Sequence, residues 1–108
     1  ELILDFFGPF LKRMGFFPLK AAKGGDAVEI YKKENPGLVF LDISLPDKEG
    51  LEVLKEIKSI NPQAKVVMLS GLDNSRAREE AEKLGALDYI YKPVTIDMLK
   101  EKIAEYSI

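Results

Sequence analysis

The sequence predicts an α/β class, a doubly wound parallel sheet lying between two layers of helices. Three observations predict it. Short apolar runs alternate with segments of helical periodicity, the arrangement of successive βαβ units. Two of the runs, Leu38-Val39-Phe40-Leu41 and Lys65-Val66-Val67-Met68-Leu69, lack the apolar/polar alternation of a half-exposed strand, as suits strands covered by helices on both faces. Three runs lead into a polar residue, Asp42, Ser70 and Lys92, and open parallel sheets bind ligands beyond the carboxyl ends of their strands.

Taken in order, Leu2, Ile3, Phe6, Phe7, Phe10, Leu11 and Met14 recur at the spacing of one apolar helical stripe. The spacing predicts a first helix that Pro9 kinks and Gly15 ends. Phe16 to Ala22 reads as a short extended run, and Lys23-Gly24-Gly25 as a turn. Asp26 is expected to cap a helix with Ala27, Ile30 and Tyr31 inward, stopped by Asn35-Pro36-Gly37. After the Leu38–Leu41 strand, the loop from Ile43 to Gly50 leads to a helix marked by Leu51, Val53, Leu54, Ile57 and Ile60, which Asn61-Pro62 ends. The Lys65–Leu69 strand runs into Ser70-Gly71. Asp73 or Ser75 opens a polar helix carried by Ala77, Ala81 and Leu84 and closed by Gly85. Tyr89-Ile90-Tyr91 forms a short strand ending in Lys92-Pro93, and Thr95 caps a last helix through Ile96, Leu99, Ile103 and Tyr106.

With 108 residues the chain reads as one domain over 1–108, and 46% hydrophobic with 31% charged residues excludes a disordered tail. Sixteen Lys and Arg against eighteen Asp and Glu, with no block of like charge, argue against direct nucleic-acid binding. The absence of Cys removes disulfides and thiolate chemistry and fits a reducing, cytoplasmic setting. The absence of His removes the commonest general base and any Ser–His or Cys–His mechanism. No apolar run approaches the roughly 20 residues of a membrane span, and no signal peptide opens the sequence.

The chemistry left to the strand ends suits a phosphoryl group. Asp42 is a candidate nucleophile that accepts it as an acyl phosphate. Lys92 pairs as a point charge with phosphoryl oxygens, Ser70 donates a hydrogen bond to one of them, and Gly71 keeps the approach open. Phosphoryl transfer needs mostly positioning and charge stabilisation, normally with Mg²⁺. Singly, each residue is as well explained by a turn, a cap or a solvated tip; jointly, the functional reading prevails. Phe6, Phe7 and Phe10 at helical spacing read as core and not as an aromatic platform.

The sequence resembles the receiver domains of two-component response regulators, similar to the bacterial chemotaxis receiver. Leu38-Val39-Phe40-Leu41-Asp42-Ile43-Ser44-Leu45-Pro46 with Gly50 closing the loop, Val66-Val67-Met68-Leu69-Ser70-Gly71, and Gly85-Ala86-Leu87-Asp88-Tyr89-Ile90-Tyr91-Lys92-Pro93 carry the resemblance along nearly the whole chain. It implies a three-layer, flavodoxin-like receiver fold, with Asp42 as the phosphoacceptor, Ser70 as the switch hydroxyl and Lys92 as the lysine before a usually cis Lys–Pro bond at Pro93. It implies that Tyr89 is the aromatic that rotates inward when Ser70 is drawn to the phosphoryl group. Asp42 and the Ser44 carbonyl would ligate Mg²⁺, and Ser44, Gly71 and Pro93 would border the phosphoryl group. Leu45, usually Met in the family, is a mild departure.

The larger departure lies at the front. Receivers open with a strand ending in two adjacent carboxylates, whereas the Leu2–Met14 stripe falls in register with the family's first helix. The expectation is therefore a fold without its first strand and a metal site without its acidic pair. The lesser alternative makes Leu2-Ile3-Leu4-Asp5 the first strand, with Asp5 a single acidic ligand. The family's strand order puts the first strand mid-sheet, so its loss would call for an upstream strand, direct pairing of its neighbours, or strand exchange in a homodimer. The expected partners are a histidine kinase or phosphotransfer protein as donor and an output domain or effector protein as receiver of the signal, through the surface of the Ala77–Leu84 helix, the last strand and the last helix. The domain is read as a signalling module and not as an enzyme. The rival reading is a phosphorylation-independent module for dimerisation or docking; a metabolic enzyme on the same architecture lacks a glycine-rich phosphate loop and a second catalytic base.

Overall fold

The computed structural model describes residues 2–5, 17–20, 23–43, 50–70, 75–92 and 95–106. Nine elements follow in chain order among them: β1 (Leu2–Asp5), β2 (Phe17–Lys20), α1 (Gly24–Glu34), β3 (Leu38–Asp42), α2 (Gly50–Ile60), β4 (Val66–Ser70), α3 (Ser75–Lys83), β5 (Asp88–Tyr91) and α4 (Ile96–Tyr106). The strands form one parallel sheet in the order β2-β1-β3-β4-β5.

β1 corrects the expectation of a missing first strand. Leu2–Asp5 lies in the middle of the sheet, pairing Leu2 with Phe17 and Asp5 with Lys20 on one side, and Ile3 with Leu38 and Leu4 with Val39 on the other. The strand of the lesser alternative is the one observed, so strand exchange is not needed to fill the centre. The physical reason is pairing. An open centre would leave two rows of backbone donors and acceptors unpaired, at about 1–3 kcal/mol for each buried group, whereas the helical stripe offered only burial. The remainder of the predicted first helix, with Pro9 and Gly15, lies outside the described residues.

Around the sheet, sequence and structure agree closely. Alternate residues of β3 and β4 serve opposite faces. Val39, Leu41, Val66 and Met68 pack with α1, α2 and α3 through Ala27, Tyr31, Leu54, Ile57 and Ala81. Leu38, Phe40, Val67 and Leu69 pack with α4 through Leu99 and Ile103. Both faces of β3 and β4 are therefore covered, which is why these strands read as unbroken apolar runs. Burying one such Leu or Phe side chain stabilises by about 1.5–3 kcal/mol.

The punctuation behaves as its chemistry dictates, with one change. Asn35 adopts the left-handed conformation at φ 47° and its N–H donates to the Tyr31 carbonyl, ending α1. The Asn61 carboxamide accepts from the Gln63 N–H at 3.0 Å, and Thr95 Oγ1 accepts from the Met98 N–H at 3.1 Å. Gly85, at φ 95°, turns the chain out of α3. Asp26, however, does not cap: α1 begins at Gly24, its N-cap position is Lys23 without a side-chain bond, and Asp26 sits in the first turn. There its charge complements the helix dipole. No helix among the described residues is long and apolar enough to cross a membrane.

Candidate functional site

The carboxyl edge of the sheet brings three of the sequence-predicted residues together. Asp42 ends β3 and Ser70 ends β4, each still within its strand, and Lys92 follows the last residue of β5. Backbone bonds fix their relative heights. The Ile43 N–H donates to the Leu69 carbonyl at 2.9 Å, and the Lys92 N–H donates to the Ser70 carbonyl at 2.6 Å. The parallel ladder thus continues one residue past both strands, holding Asp42 and Lys92 on either side of Ser70.

Across that span the Lys92 ammonium forms an ion pair and hydrogen bond with Asp42 Oδ2. The Asp42 side chain is only 18% exposed and that of Lys92 36%, so the carboxylate lies at the bottom of the edge and the ammonium at its rim. Ser70 is 1% exposed, the one polar residue among the described residues that is fully enclosed. A partly buried carboxylate with a cation directed at it by two strands is held in one orientation, open to attack on an electrophile arriving from solvent. Ser44, Gly71 and Pro93 lie outside the described residues.

Tyr89 stands on β5 opposite Met68 and packs into the core beneath α3 with Ala81. It is 8% exposed, and its hydroxyl is buried with no hydrogen-bond partner among the described residues. Its ring meets that of Tyr91 at 5.3 Å between centroids, tilted by 58°. Tyr91 also lies near Arg78 of α3, and its proximity, with the Glu82 carboxylate at 3.3 Å, pushes the guanidinium pKa up. The contact links α3 to the strand that delivers Lys92; no helical or strand period signals it, because it joins residues from two elements.

Two further features escaped the sequence. Gly50, the first residue of α2, donates its N–H to the Ile43 carbonyl at 2.8 Å, and its Cα lies against the backbone of Asp42 and Ile43. At the opposite edge of the sheet, Asp88 accepts from Lys102 at 2.5 Å, from the Tyr106 hydroxyl at 3.1 Å and from the Tyr89 N–H at 2.8 Å.

For a metal the edge offers hard oxygen donors. Asp42 ends β3, and Asp5 ends the adjacent β1. Leu4 pairs with Val39, so Asp5 is level with Phe40, two residues short of Asp42. One acidic residue, Asp5, ends the strand beside β3 because β1 forms. No group of three or more His, Cys, Asp or Glu occurs among the described residues. One or two carboxylates with retained water is an ordinary setting for Mg²⁺, so the donor chemistry fits that ion, with few protein ligands.

Comparison with known proteins agrees with this geometry. A family model described as the response regulator receiver domain matches residues 1–104. The chain is 40% identical over 84 residues to the chemotaxis protein CheY of Bacillus subtilis, a match covering 78% of this chain and 70% of that protein. It is 34% identical over 92 residues to sporulation initiation phosphotransferase F of the same organism, covering 85% and 74% respectively. Among solved structures, a CheY-like response regulator receiver domain protein from Methanospirillum hungatei superposes with a TM-score of 0.88 at 32% identity, over 96% of this chain and 89% of that one.

Proposed function

The chain belongs to the response regulator receiver domain family, and from that premise we propose that Asp42 accepts a phosphoryl group from a phosphohistidine on a histidine kinase or phosphotransfer protein. The observation that carries the reading is the ion pair between Lys92 and Asp42 at the carboxyl edge, with Ser70 between them. An Asp42 carboxylate oxygen attacks phosphorus, the P–N bond to the donor imidazole breaks, and the imidazole leaves with the bonding electrons and takes up a proton. With no His in its sequence, the chain serves as acceptor and not as donor.

Lys92 has two roles in this scheme. Before transfer it fixes the carboxylate; afterwards its ammonium follows the negative charge onto the phosphoryl oxygens, where such charge-assisted bonds are strongest. The Ser70 hydroxyl donates to another phosphoryl oxygen and moves toward it. Tyr89, packed beneath α3, answers that movement, and the surface of α3, β5 and α4 passes the change to an output domain or effector protein. This is a population shift biased by added charge and new hydrogen bonds. Asp42, Asp5 and the carbonyl of Ser44 would hold Mg²⁺, which when bound neutralises charge on the phosphoryl oxygens.

The test is phosphoryl uptake from phosphoramidate or a phosphorylated phosphotransfer protein in the presence of Mg²⁺. One base-labile phosphoryl group per chain is expected, and Asp42→Asn should abolish it with the fold intact, since Asn keeps the size and removes the nucleophilic charge. Equal labelling of Asp42→Asn overturns the assignment. A second reading, a receiver-like module that docks without phosphorylation, is favoured by one observation, the lack of a three-carboxylate cluster among the described residues. It predicts partner binding that Asp42→Asn leaves unchanged.

A further inference from the structure

We infer that Gly50 is a positioning residue for the Asp42 carboxylate, a role that rests on the phosphoacceptor reading above. The peptide unit joining Asp42 to Ile43 is gripped from two sides. Its N–H, that of Ile43, is held by the Leu69 carbonyl at 2.9 Å, and the next carbonyl, that of Ile43, accepts from the Gly50 N–H at 2.8 Å. Between these bonds the start of α2 is seated directly on the end of β3. A Cβ on residue 50 would overlap the Asp42 carbonyl oxygen and stand 2.7 Å from Ile43 Cα and 3.0 Å from the Asp42 carbonyl carbon.

All three are backbone atoms, so no flexible side chain can swing away to admit a methyl group. Either the Asp42–Ile43 peptide rotates or α2 withdraws. The β4 ladder resists the first movement, while the buried Val53, Leu54 and Ile57 resist the second. The displacement therefore falls on the residue whose carboxylate pairs with Lys92. Gly50 serves here by its lack of a side chain, and its backbone lies in an ordinary helix, so a left-handed conformation is not the reason for it.

The experiment compares wild type, Gly50→Ala and Ile103→Val, the last a mild core change on the opposite face of the sheet that controls for lost stability. Two measurements are made on each: the Asp42 ¹³Cγ and Lys92 ¹⁵Nζ chemical shifts at fixed pH, and the rate of phosphoryl uptake from phosphoramidate with Mg²⁺. Gly50→Ala should move both shifts and slow uptake by about 10- to 100-fold, the scale of a misplacement near 1 Å; Ile103→Val should change neither. If Gly50→Ala is too unstable in buffer, trimethylamine oxide restores the folded population for the same measurements. Unmoved shifts, or moved shifts with wild-type uptake, overturn the inference. Absence of uptake by wild type overturns the phosphoacceptor reading instead, while the shifts still decide whether Gly50 positions Asp42.

Discussion

Tyr89 illustrates how much one polar atom contributes. Its ring supplies core contact beneath α3, yet its hydroxyl is buried without a partner among the described residues. A buried hydroxyl left unsatisfied costs about 1–3 kcal/mol, whereas removing it together with the need for a partner is close to neutral or favourable. Tyr89→Phe should therefore raise the free energy of unfolding by about 1 kcal/mol in urea titrations. Its phosphoryl uptake should stay at the wild-type rate, because the residue packs away from Asp42. A loss of stability would show that the hydroxyl is in fact bonded. Asp42, Ser70 and Lys92 were legible in the sequence because each terminates an apolar run and the sheet has only one carboxyl edge. The Gly50 contact was not legible, since close approach of two backbones leaves no trace in composition or period beyond a glycine that also suits a loop.

Among the elements, α4 is fastened to β5 by a polar clamp at the edge opposite Asp42. Burial pushes the Asp88 carboxyl up, but the Lys102 ammonium, the Tyr89 N–H and the Tyr106 hydroxyl together outweigh it and hold the group below its ordinary value of 3.8. The Asp88 bond raises the Lys102 ammonium, while burial and then Asp88 raise the Tyr106 phenol. A depressed carboxyl stabilises the fold above its unfolded pKa, and that contribution fades as pH falls through the folded value. The clamp should therefore weaken below about pH 4. The raised Lys102 and Tyr106 act oppositely: their contributions are whole below about pH 10 and fade as pH rises further. Asp88→Asn should lower the melting temperature at neutral pH and flatten its decline on both acid and alkaline sides, as calorimetry across pH would record. A variant with the wild-type acid limb would assign that limb to other carboxylates. The contrast between β1 and the other strands is also one of elements. Leu38–Leu41 and Val66–Leu69 are bounded by turn residues and followed by clear helices, so their type was readable. Leu2–Asp5 is too short to display a period of its own, and Phe6, Phe7, Phe10 and Leu11 extend it into an equally good helical stripe. Only the demand of β2 and β3 for a partner between them separates the two, and that demand is non-local.

At the scale of the whole molecule, the parallel order β2-β1-β3-β4-β5 puts the carboxyl ends of four strands at one edge, with Asp5, Asp42, Ser70 and Lys92 at or just past the ends of β1, β3, β4 and β5. The same central position makes β1 the seam of the sheet and ends it in an acidic residue, Asp5, beside β3. Mg²⁺ dehydrates reluctantly and needs near-octahedral oxygen donors, so the proposed set of Asp42, Asp5 and the Ser44 carbonyl, with water completing the shell, should bind it weakly. The Lys92 ammonium already on Asp42 opposes the incoming cation and weakens it further. Titration of the chain with Mg²⁺, followed by amide shifts of Asp42 and Ile43, should therefore saturate only in the millimolar range. Asp5→Asn should weaken binding several-fold and Asp42→Asn more, while Lys92→Met, which removes the competing charge, should tighten it. Added sodium chloride should compress these differences, since part of each is screened charge. If Asp5→Asn binds as wild type does, the β1 carboxylate is not a ligand, and β1 serves this fold as its seam alone.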